Sequence, residues 1–197
     1  MTSTARVPAT EITGIYGAVV KWFSARQFGQ VPDSLGVMWH HPAALKAMFA
    51  FGGKAEKWDQ CDSNLKSYAH MAVASLVGCS FCLDLGYFQA HNHGLDLDKA
   101  REVPRWRESE VFTPLERSVM EYAEAMTMTP PTVSDELSAQ LLEALGPAGL
   151  LELTTYAGLA NLYTRSNVAL GIEAQGFAAS CGLQPLAEPS GAVPSTR

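Results

Sequence analysis

Charge is scarce in this chain: Asp, Glu, Lys and Arg make up 17% of its 197 residues, where soluble domains ordinarily carry about 25%. Lys and Arg number 14 against 20 Asp and Glu, for a net charge of −6, and no basic run is longer than two. That balance excludes a phosphate-backbone binder, which needs clustered cations to displace counterions. Long apolar runs are missing as well, since none approaches the ~18 residues of a membrane span. The N-terminal stretch lacks the apolar core and cleavage site of a signal peptide. No membrane partner and a cytoplasmic location are therefore expected. Cysteine is limited to four residues, which a reducing compartment would not use as structural disulfides. What is abundant is apolar content, 47%, enough to exclude a disordered chain and to bury a sizeable core. Few charges on a folded surface imply an apolar face covered by another copy of the chain, a homo-oligomer.

No segment shows a sustained strand-like alternation of Val, Ile or Thr, and the breakers leave segments of helical length. The expected fold class is all-α. Leu65, Tyr68, Ala69, Ala72, Val73, Leu76 and Val77 recur at helical spacing up to Gly78. A second stripe, Cys79, Cys82, Leu83, Gly86 and Ala90, continues to a stop at Gly94. Thr113, Pro114 and Glu116 form a helix start with a capping box. Ser134 caps a helix running to Gly146, and Pro147 opens a long one ending at Gly171. Before residue 60 two or three short helices fit. Residues 95–112 read as an irregular, surface-running link anchored on the core by Trp106. The domain organisation expected is a flexible N-terminus over 1–10, one all-α domain over 11–181 with a core around 63–94, and a flexible tail over 182–197.

Cys79-Ser80-Phe81-Cys82 is a CxxC motif. Three residues apart on a first helical turn, the two sulfurs share a face and can close a disulfide reversibly. The positive end of the helix dipole lowers the pKa of a thiol placed there, and a thiolate is the attacking form. Dipole position alone favours Cys79 as the more acidic thiol. A zinc site would need His91 and His93, but nine residues of helix from Cys82 to His91 span ~13 Å and the two imidazoles point to opposite sides. A thioredoxin-type motif would follow a strand, and here a helix precedes it. Two small core cysteines without chemistry are the remaining alternative.

The helix ending in Leu76-Val77-Gly78, the CxxC and the small-residue helix after it resemble the carboxymuconolactone decarboxylase / alkylhydroperoxidase D-like family. Phe112–Arg117, Tyr122–Thr127 and the closing Asn161-x-x-x-Arg165 with Asn167–Leu170 look like its longer members, so that the likeness covers roughly residues 60–177. The resemblance implies an oligomeric helical bundle without a cofactor. It implies a thiol-dependent peroxidase of the alkylhydroperoxidase type, taking a hydroperoxide as substrate and a thiol or dithiol as reductant. Cys82 would be peroxidatic and Cys79 resolving. The family's proton relay is absent: its glutamate corresponds to Ser67 and its histidine to Gly86. Gly86 leaves space beside Cys82, and His70, one turn beyond Ser67 on the same face, is the candidate catalytic substitute. A polar residue bonded at a helix or subunit boundary is the other reading of His70. A lactone decarboxylase or isomerase, or a non-catalytic binding or redox-sensing module, stand as alternatives to the peroxidase.

Asp84 points away from Cys82 and is expected to cap or pair structurally, with Arg165 as one partner. Glu121 and Glu124 read as a solvated face, His40-His41 as a turn, and Cys61 and Cys181 as passive.

Overall fold

The computed structural model describes residues 5–188. Its elements in order are α1 (Gly14–Phe28), α2 (Asp33–Met38), α3 (Pro42–Ala55), α4 (Ser63–Val77), α5 (Ser80–Asn92), α6 (Leu97–Glu102), a 3-10 turn (Val103–Arg105), α7 (Pro114–Thr127), α8 (Asp135–Leu170) and α9 (Phe177–Ser180). The described residues are all-α, a helical bundle.

The bundle is built around α4. Asp62 caps its start by accepting from the Asn64 and Leu65 amides, and Gly78, at φ 76°, ends it. Gly78 takes the left-handed conformation while the Cys79 amide reaches back to the Ala74 carbonyl at 2.9 Å, closing the last turn. α4 is small and apolar on more than one side. Leu65, Ala69 and Val73 pack with Val119 and Ala123 of α7 and Leu153 and Ala157 of α8. Tyr68, Met71 and Ala72 pack with Tyr87 and Ala90 of α5 and with Trp106, Phe112 and Met120. α7 begins on the expected box: the Glu116 amide donates to Thr113 Oγ1, and Glu116 Oε2 accepts from the Thr113 amide at 2.7 Å.

Three expectations need adjustment. Residues 95–112 are not an irregular surface link. Asp96 caps α6, the 3-10 turn follows, and Ala100 and Val103 are fully buried. As expected, one helix ends at Gly146 and Pro147 opens the next, the two running together as α8 across a break where Gly146 takes φ 69° and ψ 172°, a conformation confined to glycine. Glu124 is not on a solvated face: it is buried, accepting from Trp106 Nε1 at 2.9 Å and paired with Arg107. Asp84 does not pair with Arg165, whose guanidinium donates to Asn161 Oδ1 and the Thr127 carbonyl. Asp84 accepts from the amides of Gln175, Phe177 and Ala178, pinning α9 onto α5.

The segments read as loose ends carry contacts where they are described. The Arg6 and Thr10 amides donate to the Leu170 and Gly36 carbonyls, and Ala187 donates to Arg101. Leu183 and Leu186 lean on the core beside α5 and α6. The rest of those two expected ends, 1–4 and 189–197, lies outside the described residues. Among the described residues no helix is long and apolar enough to cross a membrane. α1 exposes a face of large apolar side chains, Ile15, Tyr16, Val19, Trp22 and Phe23, at i, i+1, i+4, i+7 and i+8 spacing.

Candidate dithiol site

The site lies at the N-terminal end of α5. Cys79 is the N-cap residue and Cys82 stands one turn on, their Cα atoms 5.3 Å apart and their sulfurs joined in a disulfide. A Cα separation in this range suits the bond without moving the backbone. The Cys82 amide donates to Cys79 Sγ at 3.2 Å, so one sulfur already has a backbone donor at the positive end of the helix. Cys79 is 0% exposed and Cys82 3%. Ala74, Val37, Phe81, Phe88, Ile172 and Phe177 enclose the pair, with Val7 and Phe28 at the margin. The wall is thus apolar and drawn largely from α2, α5 and the chain around α9.

One polar side chain breaks that wall. Asn167, on the last turns of α8 and 4% exposed, donates Nδ2–H to Cys82 Sγ at 3.3 Å. Its Oδ1 is the single buried side-chain N or O atom among the described residues that has no hydrogen-bond partner. Sequence reasoning placed Asn167 only within a family-like segment. It lies 85 residues from Cys82, and no spacing rule links positions so distant.

The family's relay positions are filled otherwise. Ser67 Oγ turns back to the Ser63 carbonyl at 2.9 Å and stays within its own helix. A Cβ on Gly86 would lie 3.2 Å from Met71 Cγ and 4.0 Å from His70 Cδ2. The space left by Gly86 is therefore lined by Met71 and His70. His70 is half-buried, its ring centroid 6.4 Å from that of Tyr156. Burial pushes its pKa below the ordinary histidine value and the Glu56 carboxylate pulls it back in part, so the imidazole is neutral near pH 7. Glu56 also accepts from Tyr156 OH at 2.5 Å, and burial, then that carboxylate, raises the phenol's pKa.

The other thiols stand apart. Cys61 is buried, and desolvation, followed by the Glu152 charge, pushes its pKa up to about 11, which keeps it protonated. Cys181 is exposed and unbonded. His41 Nδ1 accepts from the Ala44 amide as the N-cap of α3, and His40 Nε2 contacts the Pro8 carbonyl. His91 Nδ1 lies 3.3 Å from Asn92 Oδ1. An open cavity of about 500 Å³, lined by Arg6, Leu76, Val77, Thr127, Arg165 and Val168 among others, adjoins the site along the chain without either sulfur lining it.

A helical bundle centred on α4, with a dithiol opening the next helix, defines an all-α protein of the AhpD-like type. The family model of the carboxymuconolactone decarboxylase family matches residues 42–125. The uncharacterized protein YnjA of Escherichia coli (strain K12) is 34% identical over 157 residues, 79% of this chain and 86% of that protein. The chain belongs to the carboxymuconolactone decarboxylase family. The uncharacterized protein YdfG of Bacillus subtilis (strain 168) is 24% identical over 131 residues, 66% of this chain and 88% of that protein. Among solved structures, the alkylhydroperoxidase AhpD core of an uncharacterized peroxidase-related protein from Ralstonia eutropha JMP134 superposes with a TM-score of 0.79 at 14% identity, over 89% of this chain and 94% of that one. The debrominase Bmp8, solved with 2,3,4-tribromopyrrole, gives 0.77 at 15% identity, over 91% and 97%. These two likenesses concern the fold.

Proposed function

We propose that the protein is a thiol-dependent peroxidase of the alkylhydroperoxidase type, in which Cys82 is the nucleophile, Cys79 the resolving thiol and His70 the proton carrier. The observation that supports it is the Cys79–Cys82 disulfide on the first turn of α5. In the first step the Cys82 thiolate attacks the outer oxygen of a hydroperoxide. The O–O bond breaks, the alkoxide takes a proton and leaves as an alcohol, and Cys82 becomes a sulfenic acid. The Cys79 thiol then displaces that hydroxyl as water and forms the disulfide. An external thiol or dithiol supplies the two electrons that restore both thiols. His70, neutral and beside Gly86, suits removal of the thiol proton and its delivery to the leaving alkoxide.

The same reading places the protein in the cytoplasm, where thiol reductants are available, and pairs it with a second copy of itself. The exposed face of α1 presents on the order of 600 Å² of apolar side chain. Two copies meeting there would bury ~1,200 Å², the lower bound of a stable interface.

Hydroperoxide consumption with a dithiol reductant tests the chemistry. Wild type turns over, whereas Cys82→Ser and Cys79→Ser do not, and equal turnover in wild type and Cys82→Ser would overturn the proposal. The burial of both sulfurs favours one second reading, a redox-sensing module that forms the disulfide without turnover. Stoichiometric oxidation with no catalytic cycle would select it.

A further inference from the structure

We propose that Asn167 is a catalytic residue of the dithiol site, its Nδ2–H holding negative charge on Cys82 Sγ and its Oδ1 kept unpaired for an O–H group that arrives at that sulfur. The inference deepens the peroxidase reading by adding a residue from α8. Apart from Asn167, the side chains named around the disulfide are apolar. A thiolate forming in such a pocket would be strongly disfavoured unless something donates to it. Cys79 Sγ has the Cys82 amide; Cys82 Sγ has Asn167 Nδ2 at 3.3 Å. A disulfide sulfur is a weak acceptor, while a thiolate is a full charge, so the same bond is much stronger in the reduced protein.

The unpaired Oδ1 points the same way. A buried amide oxygen without a partner is costly, and it belongs to the one polar side chain that touches the reacting sulfur. A hydroperoxide carries an O–H on the oxygen that the thiolate attacks, and the sulfenic acid left on Cys82 carries one too. Either would satisfy Oδ1 while Nδ2 stays on sulfur. The site thereby fits peroxides with a free O–H, not dialkyl peroxides.

The test is the thiolate titration of Cys82 in the reduced full-length protein, followed by ultraviolet absorbance as the difference from Cys82→Ser. Asn167→Leu removes both donor and acceptor, and Asn167→Asp keeps the shape but replaces the donor with an anion. Both raise the midpoint by about one unit or more, which is at least tenfold less thiolate at a fixed lower pH. In equilibrium with a glutathione buffer, both also shift the Cys79–Cys82 pair toward the disulfide above the thiol midpoint. Asn167→Asp is near-isosteric and keeps the experiment decisive if the leucine variant fails to fold. An unchanged midpoint in the folded variants overturns the inference. Neither measurement requires peroxide turnover, so an inactive wild type with shifted midpoints would refute the peroxidase reading and leave intact only the donation from Asn167 to the Cys82 thiolate.

Discussion

The ion pair between Lys66 and Glu152 lies inside the bundle and offers the largest stability effect that the structure predicts. Lys66 Nζ is 2.7 Å from Glu152 Oε1 and 2.6 Å from the Trp58 carbonyl, and it stands 5.6 Å from the centre of the Tyr156 ring. Glu152 Oε2 accepts from the Gln60 amide at 2.9 Å. With the two side chains 3% and 5% exposed, solvent screens little of their attraction. The pair ties α4 and α8 to the segment 58–60 that leads into α4. Glu152→Ala leaves a buried ammonium with only a carbonyl and a ring face, and deprives the Gln60 amide of its acceptor. Breaking one side of such a pair costs about 3–5 kcal/mol, a large share of the ~5–15 kcal/mol that holds a domain together. The melting temperature should fall by roughly 6–20 °C at fixed protein concentration. Lys66→Met combined with Glu152→Leu removes both charges, so it should cost at least ~2 kcal/mol less than the sum of the single changes. Urea unfolding of wild type, Lys66→Met, Glu152→Leu and the double variant gives the cycle. A single-variant cost under about 1 kcal/mol, or costs that simply add, would refute the role assigned to the pair.

Two further outcomes concern His70 and α1. Because burial holds the pKa of His70 below its unfolded value, the unfolded chain binds the extra proton between the two values. This contribution to stability is complete above the unfolded value of ~6.5 and is lost as pH falls through that window. Denaturant midpoints measured between pH 7.5 and 5 should therefore drop less steeply in His70→Gln than in wild type, and equal slopes would contradict the assignment. Replacing Trp22 and Phe23 on the exposed face of α1 by Glu should convert an oligomer to monomers in sedimentation velocity. A wild-type monomer at micromolar concentration would dismiss that face as the contact between copies.

Much of the fold was legible because its punctuation is local. Gly78, Thr113 with Pro114 and Glu116, and Gly171 each mark a helix boundary through their own conformational preferences, and the structure uses all of them. Cys79 and Cys82 were legible for the same reason, being one helical turn apart. What escaped notice depends on chain segments far apart in sequence. Trp106 and Glu124 look like a loop residue and a surface residue until α7 brings them to 2.9 Å. Asp84 has the structural capping role expected of it, yet its amide partners come from residues 175–178, which carry no charge to advertise the contact. The burial of residues 97–106 follows from Ala100, Val103 and Trp106, three apolar positions too few to register as a period. Asn167 is the instructive case for the site. A lone Asn near a helix end ordinarily suggests capping, and only the packing of α8 against α5 puts its amide on a sulfur.

The most direct measurement is a single-turnover oxidation of reduced Cys79→Ser by one equivalent of cumene hydroperoxide in the presence of a sulfenic-acid trap, read by peptide mass. Cys82 should carry the adduct, with one equivalent of alcohol released, while wild type under the same conditions should form the Cys79–Cys82 disulfide instead. Hydroperoxide left unconsumed, or an adduct on Cys61 or Cys181 and none on Cys82, would contradict a peroxidatic Cys82.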